Sequence, residues 1–125
     1  MATILVVEDN RTILENTSEL LEMEGYSVIT ATNGKEGYSK VLKFLPDLIV
    51  SDIWMPEMDG FELLKTLGTH ADLKNIPLIF FSARSEKKDI KKGIDMGAYD
   101  FIVKPSDLSD LLVSIKNCLL SRKLI

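Results

Sequence analysis

Apolar residues gather in five short runs: Thr3–Val7, Ser27–Ala31, Leu48–Ser51, Leu78–Phe81 and Asp100–Val103. The first, third and fourth carry ILVV, LIV and LIFF with almost no polar interruption. Strands covered on both faces of a parallel sheet read this way. Between the runs, apolar residues recur at helical spacing. Ile13, Leu14, Thr17, Leu20 and Leu21 form one stripe, and Gly37, Tyr38, Val41, Leu42 and Leu45 a second. Gly25 is placed to stop the first helix, and Pro46 follows the second. Phe61, Leu64 and Leu67 mark a short third helix that Gly68 ends. Leu108, Leu111, Leu112, Ile115 and Leu119 mark the last, with Ser106 or Asp107 placed to cap it. A helix near Glu86–Met96 is thinly apolar: Ile90, Gly93, Ile94 and Gly97 make its inner side, and Lys87, Lys88, Lys91 and Lys92 its outer one. Those lysines read either as a solvated face or as a docking surface on a loosely held helix.

Strand and helix thus alternate five times, which predicts an α/β fold: a (βα)5 doubly wound parallel sheet with helices on both faces. The common strand order for five such strands is 2-1-3-4-5. The length fits one domain over residues 1–125. In sheets of this kind ligands bind beyond the carboxyl ends of the strands, where the strand order reverses. Function is therefore expected just after the strands.

Composition narrows the field further. With 46% apolar and 27% charged residues the chain is ordinary for a globular domain, which excludes disorder. Fifteen basic against 19 acidic side chains give a net charge of −4, a poor basis for direct nucleic-acid binding. The longest stretch free of Asp, Glu, Lys and Arg runs only from Gly25 to Gly34, short of the ~20 apolar residues a membrane span requires. No signal peptide is visible, and the lone Cys118 forms no internal disulfide, so a cytoplasmic location is expected. Cys118 adjoins the last apolar stripe and reads as a partly buried thiol; His70 sits in a polar stretch and reads as exposed.

The chemistry lies at the strand ends. The first strand ends in Glu8-Asp9, the third in Asp52, the fourth in Ser82 and the fifth in Lys104. Three carboxylates on one rim repel unless a cation joins them. Mg²⁺, a hard ion that takes one or two carboxylates together with other oxygen ligands, suits the set. Helix capping is the ordinary reading of a single acid in such a place, but Asn10 is available for that role beside Asp9. A carboxylate such as Asp52 can act as a nucleophile toward phosphorus. Lys104 and the Ser82 hydroxyl would then offset charge on the phosphoryl oxygens. Their plainer readings are an ion pair or surface lysine and a strand-end hydroxyl bonded to backbone.

The runs Ile4-Leu5-Val6-Val7-Glu8-Asp9-Asn10 and Leu48-Ile49-Val50-Ser51-Asp52-Ile53-Trp54-Met55-Pro56 resemble the matching segments of response-regulator receiver domains, chemotaxis-regulator-like modules of two-component signalling. So do Asp59-Gly60, Phe80-Phe81-Ser82-Ala83 and Val103-Lys104-Pro105, and the resemblance spans essentially the full chain. It implies the flavodoxin-like receiver fold and a phosphorylation-activated switch. Asp52 would be the phosphoacceptor, served by a sensor histidine kinase or a histidine phosphotransfer protein. Glu8, Asp9, Asp52 and the backbone carbonyl of Trp54 would hold Mg²⁺, with Asp9 a direct ligand. Ser82 and Lys104 would contact the phosphoryl group, and Ser82 with Phe101 would form the switch. Phenylalanine lacks the hydroxyl of the tyrosine that many members carry at Phe101. The Lys104–Pro105 peptide would be cis. The output surface would comprise the fourth helix, fifth strand and fifth helix, acting on an unknown downstream protein or output domain. The Trp54 indole would border the phosphorylation pocket, with Arg84 placed to stack on it.

Two other classes use similar parts. A haloacid-dehalogenase-like phosphatase also employs an aspartate nucleophile and Mg²⁺, but carries a second acid two residues on, where this chain has Trp54. A flavodoxin-like binding module needs a Gly/Ser/Thr-rich phosphate cradle after the first strand, and Glu8-Asp9-Asn10 would repel a phosphate. The expected protein is a switch with at most slow self-catalysed phosphorylation and dephosphorylation. It is either a stand-alone regulator or the receiver of a larger protein.

Overall fold

The computed structural model describes residues 2–83, 86–104 and 108–123, the side chain of Lys123 aside. Strands β1 (Thr3–Val7), β2 (Ser27–Ala31), β3 (Leu48–Ser51), β4 (Leu78–Ser82) and β5 (Asp100–Val103) alternate with helices α1 (Arg11–Met23), α2 (Gly34–Phe44), α3 (Gly60–Gly68), α4 (Lys87–Asp95) and α5 (Leu108–Lys123). All strand pairs are parallel, in the order β2-β1-β3-β4-β5. The expected class, element order and strand order are therefore observed. No helix among the described residues is long and apolar enough to cross a membrane.

Side chains alternate across each strand, so one sheet builds two cores. Ile4, Val6, Val50, Ile79 and Phe81 face α1 and α5, where Leu14, Leu21, Leu111, Ile115 and Cys118 meet them. Leu5, Val7, Ile49 and Phe80 face the other way, onto Val41 of α2 and Phe61, Leu63 and Leu67 of α3. Cys118 is fully buried rather than partly so, because it lies one turn beyond Ile115 on the same inward stripe. Burial pushes its thiol pKa up.

Three apolar positions turn out differently from the periodicity. Leu42 and Leu45 of the α2 stripe are exposed, because Gly34, Gly37 and Val41 are the residues of α2 that face the sheet. A side chain at Gly37 would press on Val7, so the helix comes close and its apolar edge is left outside. Ile94 of α4 is 46% exposed for a similar reason: Asp89 and Gly93 form the buried side of that helix. Gly93 lets α4 rest directly on the Phe80 ring, which a Cβ there would meet at 3.0 Å.

The helix ends follow local chemistry. Asn10 Oδ1 accepts from the Ile13 N–H at 3.0 Å, capping α1 and leaving Asp9 free of that duty. Gly25, just beyond α1, has φ +95°. Asp59 and Glu62 form a reciprocal capping box at the start of α3, for which the D-x-x-E spacing is the sequence signal. The alternative caps of α5, Ser106 and Asp107, lie outside the described residues.

Candidate functional site

Adjacent parallel strands in register deliver their carboxyl ends to one place. Val7 pairs with Ser51, and the Asp52 N–H donates to the Val7 carbonyl at 2.9 Å, so Glu8, Asp9 and Asp52 emerge side by side. Ser82 pairs with Val103 across β4 and β5, and the Lys104 N–H donates to the Ser82 carbonyl at 2.8 Å. The order 2-1-3-4-5 thereby brings together five residues scattered from position 8 to position 104.

One carboxylate oxygen from each of Glu8, Asp9 and Asp52 lies within 4.8 Å of the others, a set able to hold a metal ion. Their surroundings differ. Glu8 is 3% exposed, Asp52 is half-buried and Asp9 is open to solvent. The Ile53 N–H holds Asp52 Oδ1 at 2.7 Å, and Asp52 Oδ2 lies 3.8 Å from Lys104 Nζ. Lys104 pairs more closely with Glu8, at 2.5 Å from Oε1, while Glu8 Oε2 accepts from the Asn10 N–H at 3.1 Å. The ammonium also sits 5.0 Å from the centre of the Phe81 ring, which forms one wall. Burial, reinforced by the charge of Asp52 and opposed by Lys104, raises the Glu8 pKa to about 7. Hard oxygen donors, net negative charge and a carboxylate kept from ionising freely are the conditions a small divalent cation relieves.

Asp52 is held from behind as well. The Gly60 N–H donates to the Ile53 carbonyl at 2.7 Å, and a Cβ at Gly60 would collide with the Asp52 carbonyl oxygen. This glycine makes the loop before α3 fold tightly under the acid. Ser82 is 1% exposed at the end of β4.

Trp54 is 41% exposed at the rim, its indole edge-on to Phe61 with ring centres 6.1 Å apart. Phe61 meets Phe80 at 5.4 Å, and Phe80 meets Phe101 at 5.9 Å. A run of aromatic rings therefore joins the rim to Phe101, which is 9% exposed in β5. Phe80 is the fully buried member of that run, and nothing in a strand's spacing shows which rings touch. Arg84 and Pro105, named for the indole stack and the cis peptide, lie outside the described residues. His70 is half-buried rather than exposed: its Nε2 is 2.8 Å from the Tyr38 hydroxyl, which α2 carries across to the turn after α3.

Comparison with known proteins agrees with this fold. Residues 4–116 match the response regulator receiver domain family. The chain is similar to a probable transcriptional regulator, ycf29, of Porphyra purpurea, with 40% identity over 114 residues covering 91% of this chain and 54% of that one. It is also 40% identical over 113 residues to the transcriptional regulatory protein DltR of Streptococcus agalactiae, covering 90% and 50% of the two chains. The chain thus spans about half the length of the curated relatives it matches. Among solved structures, it resembles the signal receiver domain of a histidine kinase from Syntrophus aciditrophicus, with 37% identity, a TM-score of 0.89 and coverage of 97% and 92%. The chemotaxis protein CheY4 of Vibrio cholerae is similar too, with 32% identity, a TM-score of 0.87 and coverage of 94% and 98%. The chain belongs to the response-regulator receiver domains, the phosphorylation-activated switches of two-component signalling.

Proposed function

We propose that Asp52 is the phosphoacceptor of this switch and that a histidine kinase or histidine phosphotransfer protein is the donor. The observation that carries the reading is the placement of Asp52 among Glu8, Asp9 and Lys104, with one oxygen pinned by the Ile53 N–H and the other toward the ammonium. The free oxygen attacks phosphorus; the bond from phosphorus to the donor imidazole breaks, and the leaving nitrogen takes up a proton. Lys104 moves from Glu8 toward the new phosphoryl oxygens. Ser82 donates to another of them, and Phe101 turns into the space that its movement opens.

Glu8, Asp9, Asp52 and the Trp54 carbonyl would hold Mg²⁺, with Asp9 and Asp52 as direct carboxylate ligands. When bound, the ion offsets negative charge on the phosphoryl oxygens. Self-catalysed phosphorylation from small donors, and hydrolysis of the aspartyl phosphate by water with release of inorganic phosphate, are slow side activities of the same site. We place the protein in the cytoplasm, with output through α4, β5 and α5 toward a downstream protein or attached domain; the two regulators named above are transcriptional by name, so a DNA-binding neighbour in the same polypeptide fits the reading.

Intact-mass measurement after incubation with acetyl phosphate and Mg²⁺ tests the assignment. One phosphoryl group should add to the wild type and none to Asp52→Asn, and EDTA should block the addition. Addition to Asp52→Asn at the wild-type rate would overturn it.

A further inference from the structure

The loop between β3 and α3 follows Asp52 and carries Trp54, and its backbone makes an unusual turn. The Met58 N–H donates to the Pro56 carbonyl at 2.8 Å, closing a tight turn centred on Glu57. Glu57 sits there at φ +67°, a conformation that residues other than glycine rarely adopt. Such a backbone persists only where its surroundings over-determine it, and it gathers at functional sites.

Two fastenings hold this loop. Within it, the Gly60 N–H bonds the Ile53 carbonyl at 2.7 Å. From outside, the Gly34 N–H donates at 3.0 Å to the carbonyl of Met58, the residue after Glu57. Gly34 is the first residue of α2, where backbone N–H groups have no acceptor inside the helix. Any residue type could offer that N–H, but here the approach is too close for a side chain. A Cβ at Gly34 would lie 2.3 Å from the Met58 carbonyl oxygen and 2.9 Å from Met58 Cγ. The Met58 side chain packs on the core that α2 and α3 cover, which holds it against the helix. The helix in turn is set by the sheet: a Cβ at Gly37 would stand 3.0 Å from the Val7 side chain. The start of α2 is therefore a fixed point on which the loop rests.

We propose that Gly34 is a positioning residue for the phosphorylation site, setting the place of the Trp54 carbonyl through Met58 and the turn at Glu57. The inference rests on the reading of that carbonyl as a Mg²⁺ ligand beside Asp9 and Asp52. Mg²⁺ demands near-ideal octahedral geometry, so a loop pushed off its seat binds the ion less well. Gly34 itself touches none of the proposed ligands; its part is to let the helix come close enough to fasten the loop.

Mg²⁺ titration of the full chain, read by Trp54 fluorescence and by calorimetry, tests this in the wild type, Gly34→Ala and Gly37→Ala. Both substitutions crowd α2, but a Cβ at Gly37 meets only the side chains of Val7 and Leu63. Gly34→Ala should weaken Mg²⁺ binding by about tenfold or more, as loss of a group that orients a metal ligand does. Gly37→Ala should lose stability in urea unfolding and keep the wild-type Mg²⁺ affinity. A second measurement needs no substitution. In the wild type, Mg²⁺ should slow amide exchange at Gly34 more than at Gly37, whose N–H bonds the Asn33 carbonyl instead. Circular dichroism checks that the variants are folded, and the exchange measurement decides alone if Gly34→Ala is not. Wild-type Mg²⁺ affinity in Gly34→Ala overturns the proposal, and so does equal weakening in Gly37→Ala, which would reduce both glycines to packing. Exchange at Gly34 that ignores Mg²⁺ overturns it as well. A wild type that binds no Mg²⁺ would overturn the metal reading itself, and the positioning role with it.

Discussion

Lys104 forms its closest ion pair with Glu8, at 2.5 Å, and stands 3.8 Å from Asp52. Both side chains of the closer pair are almost covered, with 10% and 4% of their surfaces exposed. The ammonium is held beside Asp52 by a neighbouring acid. Replacing Lys104 by Met should therefore leave Glu8 more strongly protonated near neutral pH, beyond weakening phosphorylation. Titration of the Glu8 carboxyl by carbon NMR checks this: the midpoint should rise in Lys104→Met, and an unchanged midpoint would mean that the pair has no electrostatic consequence.

The raised Glu8 pKa has a sign that can be worked through. The folded value is about 7 against 4.5 for an ordinary glutamate, so between those pH values the native protein holds a proton that the unfolded chain has released. Stability from this group is present below about pH 4.5 and is lost as pH rises through 7, by an amount of order 3 kcal/mol. In EDTA, the stability of wild type relative to Glu8→Gln should fall between pH 5 and 8 in urea unfolding. Mg²⁺ should restore more of it at pH 8 than at pH 5, because binding requires the ionised carboxylate. A difference that grows with pH in EDTA would reverse the argument.

Gly60 sets the floor beneath Asp52. A Cβ there would strike the Asp52 carbonyl oxygen and press on Ile53 Cα and the Phe80 ring, two of the three contacts being backbone. Gly60→Ala should cost about 1–3 kcal/mol or more, as overpacking against fixed atoms does. Gly68→Ala is the control: a Cβ at Gly68 would meet nothing within 4 Å. Chemical denaturation of both variants should separate them clearly.

Trp54 offers an exposed indole propped on Phe61 at the rim of the pocket. A large ring there would hinder the in-line approach of water to the phosphoryl group proposed on Asp52. Trp54→Ala should shorten the phosphate lifetime severalfold and leave Mg²⁺ affinity unchanged, since the proposed ligand is a backbone atom. Being the only tryptophan, it should also report metal binding through its fluorescence. A lifetime that is unchanged or longer would show that the ring does not shield the site.

The α4 helix should respond first to occupancy of the pocket. It rests on Phe80 through a glycine, and its cap lacks a side-chain bond, so it is held by few local interactions. Amide exchange with a beryllofluoride mimic should change in α4, β5 and α5. Changes limited to α1 and α2 would contradict the proposed output face.

The periodicity of apolar residues determined this fold almost completely, because doubly wound sheets demand runs like Leu78–Phe81 for buried strands and stripes like Leu111–Ile115 for covering helices. The acids and the lysine were equally legible, since chain order places residues that follow strands on a common rim. Tertiary structure alone decided how those groups pair. Lys104 sits on Glu8 because the sheet register fixes the height of each strand end, and register is a long-range property. It also decided that Leu42 and Ile94 lie outside while Gly37 and Gly93 lie inside, for how close a helix can approach depends on the residue beneath it. The run of rings from Trp54 through Phe61 and Phe80 to Phe101 joins the loop after β3, helix α3 and strands β4 and β5. No local pattern encodes it, because its members share no element and meet only once the sheet has closed.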